Sequence, residues 1–424
     1  MLPPGPSTPS AVQTWEWLAR PTTLLRRCAA RYGEPFTLRT AWTDAPMVVV
    51  SDPAAVRAVF TAPVDVAVAG ASSTFLEPFV GTRSILVLDG PAHLRQRKLM
   101  LPPFHGDRMR AHRDLIAELA AGEVERWPAG TPFATHGRMQ ALTLDIIMRV
   151  VFGAELPGLR TAIRRTLDMT MSLPRMLFFS LTGNDLGFRR ALDSVEAGLT
   201  AAIRDRRTGA PRDAILDELI AAGSSDDELR DQLVTLLAAG HETTAGSLSW
   251  ALERLARHPG VLARLRDDEP GYADAVVKEV LRTRPVLTIA ARKLVAPFSL
   301  AGWELPAGVH VAPCIYLTHR RSELYADPTA FRPERFLVDG APDSYAWIPF
   351  GGGVRRCVGA GFAAMEMREV LRAVAARVTL RPGRPTGERM RRRSLTLLPE
   401  HGGSVITAPL LSDARCRSSA VTTA

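Results

Sequence analysis

Apolar positions along this chain recur mostly at helical spacing. From about residue 110 onward Ala, Leu, Arg and Glu alternate with the helical period, so long stretches predict amphipathic helix. Strand signals are sparser. Pro35 to Arg39 and Met47 to Val50 predict two short strands around a turn, and Asp52 followed by Pro53 predicts the start of a helix. Strand-like runs return at Phe298 to Val311 and at Leu395 to Ile406. The expected class is mainly α, of the α+β kind, with small sheets.

One element stands apart. Ser225 with Glu228 three residues on has the form of a capping box, and His258-Pro259-Gly260 is a stop, so a single helix is predicted from Asp226 to His258. At about 1.5 Å per residue it would run close to 50 Å. Its middle, Leu233 to Gly240, is apolar on every side, the pattern of a buried helix. Yet His241, Glu242, Thr243 and Thr244 follow at once. Polar groups placed in so apolar a helix call for a chemical reason.

Composition narrows the class. Of 424 residues, 46% are hydrophobic and 23% charged, ordinary for a globular protein with a sizeable core. Both ends are small and polar or rich in proline, so residues 1–10 and 412–424 are expected to fray from one domain spanning 1–424. The 53 Lys and Arg outnumber 44 Asp and Glu, a net +9, but the basic residues are dispersed among acidic ones without interleaved aromatics, which speaks against nucleic acid as the partner. No apolar run approaches the ~20 residues of a membrane span and no cationic leader precedes one, so a cytoplasmic protein with no membrane anchor is expected. Cys28, Cys314, Cys357 and Cys416 lie far apart, which suits a reduced compartment.

Cys357 sits in the most distinctive text, Phe350 to Gly359, FGGGVRRCVG, just before a helical stretch. Three glycines allow a tight bulge, and the free amides of a helix start beside Arg355 and Arg356 favour thiolate over thiol. Such a sulfur suits a metal or a nucleophilic role; a small buried apolar residue is the other reading of a lone cysteine.

This loop resembles the haem-ligand loop of the cytochrome P-450 family at Phe350, Gly353, Arg355, Cys357 and Gly359. The resemblance implies a single triangular helical domain with haem b (iron protoporphyrin IX) held between the long helix and the helix after Cys357, whose thiolate ligates the iron and favours O–O cleavage. Ala239 to Thr244 is similar to the family's oxygen-activation segment, which implies that Gly240 opens space over the haem and that Glu242 and Thr243 relay protons. Glu279 and Arg282, one turn apart, with Arg335 in Pro333 to Phe336, are similar to the family's buried Glu-Arg-Arg brace. His93 and Arg97, with Arg292 and Arg355, occupy positions that the family uses to hold haem propionates.

The resemblance further implies a bacterial soluble monooxygenase, acting as a monomer, that hydroxylates or epoxidises a hydrophobic small molecule with O2. A terpenoid, fatty acid, steroid or polyketide of secondary metabolism would suit it, with Met169 to Phe179 as an adaptable apolar roof. Electrons from NAD(P)H would come through a separate ferredoxin or flavodoxin and its reductase, docking on Arg95, Lys98, Arg108, Arg110, Arg355 and Arg356. A peroxide-using relative is the alternative enzyme, against which the Glu242-Thr243 pair argues. A non-catalytic haem sensor is the alternative from another class, and it has no need of delivered protons.

Overall fold

The computed structural model describes residues 1–410 except 42, 44, 105, 106, 171–185 and 338–342. Most of the expected apolar roof, 171–179, and the C-terminal residues 412–424 therefore lie outside the described residues.

The long helix runs Asp226–Arg257. Its start is the expected reciprocal cap: Glu228 N donates to Ser225 Oγ at 3.3 Å and Ser225 N to Glu228 Oε2 at 3.0 Å. His258 ends it, and Pro259 opens the next helix. Leu248, Trp250, Leu252 and Leu255 are fully buried, and each apolar side chain so buried contributes about 1.5–3 kcal/mol. Helices His136–Phe152 and Ala360–Arg377 pack against this rod and share one core with it.

A five-stranded sheet lies apart, in the order Phe36–Leu38, Met47–Val50, His310–Pro313, Arg292–Leu294, Ala67–Val68. Only the pairing of Met47–Val50 with His310–Pro313 is parallel. Asp52 caps helix Pro53–Thr61 by accepting from Ala54 N and Ala55 N at 2.9 and 3.1 Å.

Three details differ from expectation. The run 298–311 breaks into hairpin strands Phe298–Leu300 and Trp303–Leu305 before His310–Pro313, because Ala301 and Gly302 both take positive φ and reverse the chain. The run 395–406 divides between two sheets at Gly402 and Gly403, again with positive φ. Residues 1–10, expected to fray, are tied down instead: Thr37 N donates to Pro4 O at 2.8 Å, Thr37 Oγ1 to Pro3 O at 2.7 Å, and buried Gln13 to Pro6 O at 3.1 Å.

Candidate active site

The cysteine loop is shaped by glycine. Gly351 and Gly353 have φ of +67° and +62°, a left-handed backbone that side chains disfavour. A Cβ on Gly353 would lie 1.9 Å from the Phe60 carbonyl oxygen, so helix Pro53–Thr61 presses directly on the loop. Cys357 N donates to Phe350 O at 2.9 Å, which closes the turn and fixes where the sulfur emerges. Helix Ala360–Arg377 starts three residues later.

Cys357 is accessible, yet burial is the main influence on its thiol and pushes its pKa up, while the Gly359 amide and the charges of Arg97 and Arg356 pull it down. Accessible and desolvated together mean that the sulfur faces an internal space and not bulk water. Cys28 and Cys314 are buried, and burial raises both thiols, as befits small apolar filler.

The loop is braced from behind. Arg282 donates to both oxygens of Glu279 at 2.7 and 2.8 Å, and Arg335 reaches Glu279 Oε1 at 3.2 Å. Arg282 also binds the carbonyls of His319, Pro328 and Ala330 at 2.8, 2.8 and 3.0 Å. His319 Nε2 in turn accepts from Ile348 N at 2.9 Å, and Tyr325 Oη donates to Ala346 O at 2.9 Å. The fully buried Glu279–Arg282 pair therefore holds the strand of chain that leads into Phe350.

Four bases gather on the other side of the loop. His93 is neutral at pH 7, its pKa pushed down to about 4 by burial and by the nearby charges of Arg355, Arg97 and Arg292. Buried Arg292 is lowered to about 10 by burial and by Arg355, stacks over the Phe60 ring, and donates to the Ala291 carbonyl. Arg97 donates to Arg356 O at 2.7 Å. Arg355 is more fully engaged than its expected role required: it binds Ile85 O at 2.9 Å, Leu88 O and the carboxylate of Asp89. Among the described residues, Asp89 is the carboxylate that faces these three arginines, which leaves positive charge in excess there.

On the long helix, Thr235, Leu237, His241, Glu242 and Thr244 are buried, while Val234 and Ala238 are at least partly exposed, as are Leu236, Ala239, Gly240 and Thr243. Their spacing of three, four and seven residues makes one open stripe. Thr243 Oγ1 donates to Ala239 O at 2.7 Å, and Thr244 likewise to Gly240 O at 3.0 Å. A Cβ added to Gly240 would make ordinary van der Waals contact with Ile147 Cδ1, 3.4 Å away on the neighbouring helix. The exposed Ala239 occupies that open face.

Glu242 is turned the other way and is buried. Its Oε2 accepts from Gln140 Nε2 at 2.7 Å, and His136 Nε2 lies 3.5 Å from Oε1. That second separation is an ion-pair distance at the outer limit of hydrogen bonding, and among the described residues Oε1 has no nearer donor. Burial alone would raise this carboxyl. The adjacent His136, the hydrogen bond from Gln140 and the field of His241 together more than offset it and leave the pKa lowered.

The expected docking patch is partly neutralised. Arg95 pairs with Glu228, and Arg108 with Asp213 and Glu218. Lys98 and Arg356 are exposed, beside the exposed apolar side chains Leu94 and Val354 of the same two segments.

Two site residues escaped the sequence reading. Asp89 accepts from Ala69, Gly70 and Ala71 N at 3.0, 2.9 and 3.0 Å as well as from Arg355, so it shapes the 67–72 segment. His136 meets Glu242 only through helix packing. Neither carries a local pattern that spacing could have revealed.

The donor set suits a planar dianion bearing a metal: one accessible sulfur at a desolvated loop, surplus arginine charge at one edge, and an open helix stripe. Among the described residues no three His, Cys, Asp or Glu converge on a metal, and no helix is long and apolar enough to cross a membrane.

Comparison with known proteins agrees with this geometry. Residues 3–405 match the family model described as Cytochrome P450. The chain is 40% identical over 430 residues to putative cytochrome P450 135B1 of Mycobacterium tuberculosis, covering 95% of this chain and 91% of that one. It is 37% identical over 426 residues to putative cytochrome P450 138 of the same species, covering 96% of each. Among solved structures, CYP175A1 from Thermus thermophillus superposes with a TM-score of 0.76 at 27% identity, over 92% and 95% of the two chains. The cyanobacterial CYP120A1 with retinoic acid bound shares the fold at a TM-score of 0.86 and 24% identity, over 97% and 100%.

Proposed function

The chain belongs to the cytochrome P450 family of monooxygenases, and from that premise we propose that Cys357 is the iron's sulfur ligand and that Glu242 and Thr243 deliver protons for hydroxylation or epoxidation of an apolar small molecule. The observation that carries this reading is the accessible yet desolvated Cys357 at the mouth of a glycine-shaped, ion-pair-braced loop.

Haem b, when bound, supplies the oxygen-activating chemistry. The protein's part is positioning. Arg97 and Arg292, with His93, would hold its two carboxylates, for which the excess positive charge at that edge provides the attraction. Neutral His93 offers a hydrogen bond without adding charge. The Gly359 amide and the Arg97 and Arg356 charges favour a thiolate at Cys357 against the cost of burial. Thr243, on the open stripe, presents its hydroxyl where a proton is needed, and Glu242, one residue before it, is the acid behind it.

An apolar substrate suits the surroundings. Leu397 N donates to Val286 O at 2.7 Å, which brings the hairpin carrying exposed Leu395 beside exposed Leu287, and both Leu398 and Val286 border Gly246 of the long helix. A terpenoid, fatty acid, steroid or polyketide of secondary metabolism fits that chemistry. Electrons would arrive from a ferredoxin or flavodoxin by way of its reductase in the cytoplasm, with Lys98 and Arg356 as the charged contacts and Leu94 and Val354 as the apolar ones.

The test is direct. Cys357→Ala should remove the absorption band at about 450 nm of the reduced carbon monoxide complex while the far-ultraviolet circular dichroism is kept. A variant that retained the band would refute the assignment.

A further inference from the structure

The carboxylate assigned above to the relay is not held by a permanent cation. Among the described residues its charged partners are two histidines, His136 at 3.5 Å and His241 at 4.0 Å, and neither Arg nor Lys bonds to it. His136, Glu242 and His241 are 6%, 4% and 3% exposed, so the histidine charges act in a poorly solvated setting.

Hydrogen bonding fixes the tautomer of His136. Its Nδ1 lies 3.4 Å from Ser249 Oγ, and the Ser249 hydroxyl spends its own proton on Ala245 O at 2.8 Å. Ser249 must therefore accept, and Nδ1 carries hydrogen. The other ring nitrogen, Nε2, faces Glu242 Oε1. If neither bore a proton, a lone pair would confront a carboxylate inside the protein, at a substantial desolvation cost. One proton therefore belongs to the contact, on Nε2 or on Oε1.

The remaining neighbours do not replace it. Gln140 occupies the other oxygen, Oε2. His241 presents Nδ1 to Leu237 O at 2.9 Å, and Thr143 Oγ1 binds the His241 carbonyl at 3.1 Å. On the far side of His136 the 402–403 turn uses its carbonyls on Thr135 and on the His136 amide, and Glu388 accepts from His401 N and Ser404 N. Arg138 is occupied with Glu123.

We propose that His136 is a positioning residue of the relay, sharing one proton with Glu242 and loading that carboxylate from the side away from the open stripe. The proton passes from Nε2 to Oε1, leaving a neutral imidazole that still donates through Nδ1, and a proton taken up from solvent restores Nε2. An imidazole can give up a proton and take another, which an arginine partner would not allow, so coupling of electron use to product depends on His136. The inference rests on the relay reading of Glu242 and Thr243.

The experiment compares wild type, His136→Gln, Glu242→Gln and Thr243→Ala holoenzymes, with His136→Asn in reserve if the glutamine variant does not fold. A ferredoxin and its reductase supply electrons, and the probe is the apolar ligand giving the largest spin-state shift. Peroxide released per NADPH is measured from pH 5.5 to 8.5, and the thermal midpoint of each protein without ligand is followed over the same range, as about three units around neutrality bracket imidazole. His136→Gln should raise peroxide about tenfold at neutral pH and abolish the pH dependence of coupling. A merely structural histidine would lower the midpoint by the same amount at every pH and leave coupling alone, and that result overturns the proposal. If Glu242→Gln and Thr243→Ala stay coupled, the relay reading itself fails; if those two uncouple and His136→Gln does not, only the role of His136 fails.

Discussion

Glycine substitutions in and after the cysteine loop should separate three physical effects by sign and size. At Gly351 an added Cβ meets nothing within 4 Å, but φ is +67°, so Gly351→Ala carries backbone strain alone, roughly 1–2 kcal/mol. At Gly353 the same strain is joined by a collision, since the Cβ would stand 1.9 Å from Phe60 O where contacts under 3.0 Å do not occur. The loop must then move by about 1 Å against a packed helix, an overpacking that adds about 1–3 kcal/mol and brings the total to about 2–5. That shift would also draw Arg355, two residues on, away from Ile85 O and Asp89. Gly361 is the contrast: it lies inside helix Ala360–Arg377 with ordinary φ and only Met109 Cε at 4.0 Å. Gly361→Ala should therefore stabilise, by up to about 1 kcal/mol. Urea unfolding of the three variants gives the free energies, and the reduced carbon monoxide spectrum reports whether the sulfur is still in place. A Gly353 variant no less stable than the Gly351 one, or a Gly361 variant that is destabilised by a similar amount, would refute the reasoning.

Two further outcomes follow from the brace. Glu279→Gln leaves Arg282 buried with an uncompensated charge and should cost about 3–5 kcal/mol of unfolding free energy, read from the urea midpoint; a loss under about 1 kcal/mol contradicts the assigned role. His319 is held down to about 3 by burial and by Arg282 and Arg320, and its Nε2 must stay unprotonated to accept from Ile348 N. Its folded pKa lies below the unfolded one, so the unfolded chain takes up the proton first as pH falls. The stability is complete above about pH 6.5 and drains away from there toward about pH 3, on the order of 5 kcal/mol in all. His319→Gln keeps an acceptor that does not titrate, and unfolding free energies at pH 7 and pH 4 should lie closer together than in wild type; equal pH dependence in the two proteins would count against the account.

What was legible in the sequence was what the chain decides over a few residues. The Ser225–Glu228 cap, the Asp52–Pro53 start, the Glu279–Arg282 spacing and the Phe350–Gly359 loop are all local, and the structure forms each of them. Where a turn residue intervened inside a strand-like run, as at Ala301–Gly302 and Gly402–Gly403, the hydrophobic pattern continued although the chain had changed direction. Pairings across the fold were of another kind. Asp89 meets Arg355 across 266 residues and Gln140 meets Glu242 across 102, and nothing in either segment names its partner. Helical periodicity told that Glu242 and Thr243 point about 100° apart, but not which neighbour each would face. That choice is made by packing, which brings helix His136–Phe152 alongside the long helix with Gly240 against Ile147. The same close approach puts His136 and Gln140 on the carboxylate. Alanine at 240 would reach only ordinary van der Waals contact with Ile147, 3.4 Å, so Gly240→Ala should leave the helix pair and the partners of Glu242 in place, whereas a larger side chain would press on Ile147.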